Sequence, residues 1–270
     1  VDDFKADMKQ LKSWKDDITN NIVKHKAVGT ILVESHRLKE GLDRKTNALD
    51  QLQEMLLSAA KEECISTLQE YQSIIKSLGE RPRNLKDFAE FCRYVDHTRE
   101  ESGGLRNKAR AVTEMYDLLE EYFPNLKIPT ADEVKKDDLD EAKKTFADVF
   151  EQAASAVEDK KPKWIDTLDK SIATLNEELL SILASLHSGD YMDPTQDPKA
   201  VLEKLDSVRE ELDTISEKAE TYAEWQRVFK IGDGEQSLTS FKDTNTQYEM
   251  KREIWQRLDT WNESVKHWKE

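Results

Sequence analysis

"DPKAVLEKLDSVREELDTISEKAETYAEWQRVF", residues 197–229, carries Val201, Leu205, Val208, Leu212, Ile215, Tyr222 and Phe229 at steps of three, four and seven. Such steps return apolar side chains to one face of an α-helix and scatter them over both faces of a strand. The stretch predicts a helix opening near Pro198, with one apolar stripe and a charged remainder. The same pattern recurs on either side. Trp164, Leu168, Ile172, Leu175, Leu179 and Leu183 form a stripe ending near Leu186, and the polar run "HSGDYMDPTQDP" at 187–198 between the two is the best candidate for a mobile loop.

Toward the N-terminus, Leu38, Leu42, Leu49, Leu52, Leu56, Ile65, Leu68, Ile75 and Leu78 alternate threes and fours with one stutter near Ala59. They predict one helix over 31–78, roughly 70 Å long at about 1.5 Å per residue. Gly79 can cap it, and Pro82 cannot continue it. A second helical run, 85–122, holds Phe88, Phe91, Val95, Leu105, Ala109, Val112, Tyr116 and Leu119. A break or kink is expected at "ESGG", 101–104, because each helical glycine costs about 1 kcal/mol relative to alanine. "YFPNLKIPTADE" at 122–133 reads as a connector, with Thr130 as helix cap and Glu133 in the capping-box position. Helix resumes through Leu139, Phe146, Val149 and Phe150 to about Val157, and "DKKPKW" at 159–164 reads as a short turn or kink. Gly232 and Gly234 mark a tight connection into a last helix. No alternating strand pattern and no tandem repeat is visible.

The expected fold is therefore all-α: an elongated series of long antiparallel helices forming helical bundles. Its parts are long helices over 1–80, a bundle over 81–160 with its connector at 122–133, a hairpin over 161–235 with its loop at 187–198, and a Trp-rich helix over 236–270. Composition agrees. Of 270 residues 37% are hydrophobic and 36% charged, with 8 Gly and 6 Pro, which suits thin packing along narrow seams. The 41 basic and 56 acidic residues leave a net charge of −15. That balance argues against nucleic acid and anionic membrane as partners, since both demand a basic face. No apolar run approaches the ~18 residues of a spanning helix. The chain opens on Val1 in what reads as mid-helix, so a segment of something longer is expected.

Chemistry is hard to find. Cys64 and Cys92 set no disulfide framework and fit a reducing cytoplasm, while Cys92 and His97, five apart, lack the second pair that a structural zinc site needs. The histidines at 25, 36, 97, 187 and 267 form no nucleophile or metal pattern. Neighbouring acids such as Asp16–Asp17, Glu100–Glu101 and Asp137–Asp138 point to different helical sectors, and phosphate-binding glycine loops are missing. No enzyme activity and no cofactor are expected of these residues. The closing stretch "YEMKREIWQRLDTWNESVKHWKE", 248–270, stands out instead: Tyr248, Ile254, Trp255, Trp261 and Trp268 crowd a few turns and suggest a surface that docks against something large.

Four runs taken in order carry a resemblance: "RPRNLKDFAEFCRYVDH" at 81–97, "AVTEMYDLLEEYFPNLKIP" at 111–129, "DPKAVLEKLDSVREEL" followed by "YAEWQRVF", and "YEMKREIWQRLDTW" at 248–261. Together they resemble the tail of dynein heavy chains, most of all the axonemal ones, over about 78–270. The P-x-x-L-x-x-F element at 82–88 and the M-Y-x-L-L element at 115–119 are the most telling after the Trp-rich ending. The resemblance implies a tail segment leading into the force-generating linker of an ATP-driven microtubule motor, with ATP and Mg bound only in a ring downstream. It implies intermediate and light chains, neighbouring heavy chains and the axonemal doublet as partners, and a place in the cytoskeleton of a cilium or flagellum. Tyr248, Ile254, Trp255, Trp261 and Trp268 would be anchors at the hand-over to the linker. A spectrin-like tethering rod is the alternative, but it would space tryptophans evenly, whereas Trp14, Trp164 and Trp255 lie 150 and 91 residues apart. A membrane-curving helical module would need a basic concave face.

Overall fold

The computed structural model describes residues 2–23, 25–35, 37, 40–41, 48–124, 126–232 and 235–269. The protein is 85% helical, with six long helices and one two-stranded sheet among the described residues. In chain order these are α1 (Asp2–Asn21), β1 (His25–Val28), β2 (Ile31–Glu34), α2 (Ala48–Leu78), α3 (Leu85–Tyr122), α4 (Thr130–Leu186), α5 (Pro198–Phe229) and α6 (Glu235–Lys269). The all-α class is what the apolar spacing predicts. No helix among the described residues is long and apolar enough to cross a membrane. The chain falls into two compact units, one of Val1–Glu80 with His97–Gln152, the other of Arg81–Asp96 with Ala153–Glu270.

In the first unit α2 runs parallel to the start of α4: Lys61 meets Asp132 at 3.4 Å, the Cys64 thiol donates to the Lys135 carbonyl at 3.6 Å, and Tyr71 meets Phe146 edge-on at 5.4 Å. The second half of α3 lines the same core with Leu105, Ala109, Val112, Tyr116 and Leu119, all buried as their spacing predicts. Burial holds Tyr71 above its ordinary pKa and pushes Tyr116 up to about 12.

In the second unit, Phe88, Ala89, Cys92, Leu168 and Phe229 form one core cluster, with Phe88 stacked on Trp164 at 5.5 Å. Burial pushes the Cys92 thiol up to about 11. A second cluster joins α4, α5 and α6.

Four local expectations fail in whole or in part. The predicted helix over 31–78 does not begin at Ile31, because 25–34 form a hairpin with Val28 paired to Ile31 and Ala27 to Leu32; the described residues are helical at 37, 40 and 41 and again from Ala48. Gly29 and Thr30 make its two-residue loop, and Gly29 has φ +64°, the positive value that glycine at the first loop position supplies. Leu38 and Leu42 of the predicted stripe lie outside the described residues. Second, α3 passes through Gly103 and Gly104 unbroken. The apolar anchors that follow, Leu105 and Ala109, offset a propensity cost of about 1 kcal/mol per glycine. Third, α4 runs 57 residues through Pro162, so "DKKPKW" is not a turn. Pro162 is exposed, and its missing N–H costs one backbone bond in a helix held on both sides by buried residues. Fourth, Thr130 is the first helical residue rather than the cap: the N–H groups of Asp132 and Glu133 donate to the Pro129 carbonyl at 2.8 and 3.2 Å.

Candidate functional site

The aromatic ending lies on α6, which has 35 residues and neither glycine nor proline. Its partner α5 is firmly bounded. The Asp197 carboxylate caps its start by accepting from the Ala200 N–H at 3.3 Å, and Pro198 occupies the first turn. At the far end Lys230 adopts the left-handed conformation, φ 58°, and donates to the Arg227 carbonyl at 3.0 Å, while Ile231 donates to Gln226 at 3.1 Å. That is a Schellman close with lysine where glycine is usual. Part of the predicted tight connection, Gly234, lies outside the described residues.

The two helices run antiparallel, pinned along their rims by Lys199–Glu263 at 2.8 Å, Asp206–Arg252 at 3.1 Å and Arg209–Glu249 at 3.1 Å. The first pair holds Lys199 above and Glu263 below its ordinary pKa, in both cases chiefly through the hydrogen bond between them. Between the rims lies a core of Leu175, Leu179, Ile182 and Leu186 from α4, Val201, Leu205, Val208, Leu212, Ile215 and Ala219 from α5, and Tyr248 and Trp255 from α6.

The five predicted anchors divide. Tyr248 and Trp255, 0% and 3% exposed, are inside this core, whereas Ile254, Trp261 and Trp268 are 59%, 58% and 73% exposed. Seven residues separate Tyr248 from Trp255, so both return to the seam toward α5. The Trp255 indole N–H donates to the Tyr191 carbonyl at 3.3 Å, which fastens the loop after α4 to α6. That loop also holds a 3-10 turn at Gly189–Tyr191, and the Asp193 carboxylate accepts from the Thr195 N–H and hydroxyl at 3.0 and 2.7 Å. Hydrogen bonds from Gln196 and Thr195 lower the Asp193 pKa. Burial raises the Tyr248 phenol, whose ring lies 5.9 Å from the Arg209 guanidinium.

Outside the seam, Trp261 and Trp268 meet edge-to-face at 6.0 Å. Sequence reasoning centred on tryptophan misses Leu258 and Val265, both half-buried, which complete a three–four spacing of Ile254, Leu258, Trp261, Val265 and Trp268. The spacing itself is the signal that finds them. The site holds no proton-transfer pair or nucleophile; what it offers is apolar area. Among the described residues no group of three or more His, Cys, Asp or Glu is placed to hold a metal ion. No model of a known protein family matches the chain, and no curated protein matches it.

Proposed function

We propose that this chain is a non-catalytic tail segment of a dynein heavy chain, a helical spacer and assembly surface leading toward the force-generating linker. The reading rests on the ordered resemblance of residues 78–270, and one observation supports it most: α6 is anchored on one side by Tyr248 and Trp255 and turns Ile254, Trp261 and Trp268 outward on the other. A helix gripped by its own unit and apolar on a second face suits a joint between parts of a larger assembly. On this reading intermediate and light chains, neighbouring heavy chains and the axonemal doublet are the partners of the assembled complex. ATP and Mg belong to a ring encoded downstream, and the place of work is the cytoskeleton of a cilium or flagellum. Sequencing the transcript beyond the codon for Glu270 tests this: repeated phosphate-binding loops of the Walker type within the following few thousand codons are expected, and an early stop codon would refute it.

A further inference from the structure

We draw no further inference here: the strongest candidate, the exposed apolar face of α6 formed by Ile254, Trp261 and Trp268, carries none because nothing in the structure shows what covers it.

Discussion

Replacing Trp255 with alanine separates the gripped side of α6 from its outer side. A buried tryptophan removes about 200 Å² from water, and at about 25 cal/mol per Å² this is an upper bound of about 5 kcal/mol. Alanine keeps part of that area, and the surrounding side chains leave a cavity that relaxes only partly, so the expected loss is about 3–5 kcal/mol. Losing the indole N–H leaves the Tyr191 carbonyl without that donor, a further cost of about 1 kcal/mol. Trp255→Phe should fall between, since it keeps most of the apolar area and loses the hydrogen bond. Trp261→Ala, at a side chain 58% exposed, should stay within about 0.5 kcal/mol of wild type. Urea denaturation at 25 °C, followed by helical dichroism, measures all three. A Trp255→Ala cost below about 1 kcal/mol, or one matched by Trp261→Ala, would refute the assignment of the two residues to different faces.

Lys230→Gly should raise stability by about 0.5 kcal/mol: relief of a left-handed lysine, worth about 1–2 kcal/mol, outweighs an exposed Lys230–Asp96 pair worth about 0–1 kcal/mol, and a lowered Tm would contradict this. Pro162→Ala restores a backbone donor within α4 and should stabilise the chain by about 1–3 kcal/mol in urea melts; no change would mean that α4 is not continuous there. Burial raises Cys92 from 9.0 to about 11 and Tyr116 from 10.0 to about 12, so the unfolded chain loses these protons first. Their contribution is whole below about pH 9 and disappears as pH rises from 9 to 12. Tm measured against pH should fall over that window, and Cys92→Ala should flatten its lower part.

Helices whose stripes are built of large aliphatic residues are legible from spacing alone. Val201, Leu205, Val208, Leu212 and Ile215 are all buried, as the three–four count requires. In α2 the same count misleads, because the leucines at 52, 56 and 68 are only half-buried while Ala60, Cys64, Thr67 and Tyr71 form the inner line. Residue size fixes how much area a position could bury, but the neighbouring helix decides which positions it reaches. At the glycines 103 and 104 and at Pro162 local propensity argues for a break, and long-range packing overrides it. The hairpin leaves little trace because its four-residue strands are too short for a period to show, and Gly29 beside "ILVE" is its one clear signal. At the candidate site the tryptophans are conspicuous in the sequence, but which of them face inward depends on where α5 lies.

The rim charges between α5 and α6 also work as a key. Asp206 faces Arg252 and Arg209 faces Glu249, so both helices carry alternating signs in mirrored order. Sliding α6 by three residues, about 4.5 Å, in one direction sets Asp206 against Glu249. Sliding it the other way sets Arg209 against Arg252 and Lys199 against Lys266. Each exposed pair adds at most about 1 kcal/mol to stability, yet either three-residue slip replaces attraction with repulsion. The ladder thus guards alignment more than it adds strength. A pull along the axis of α6 meets resistance in both directions, and salt that screens the charges would loosen that resistance while leaving the apolar seam intact.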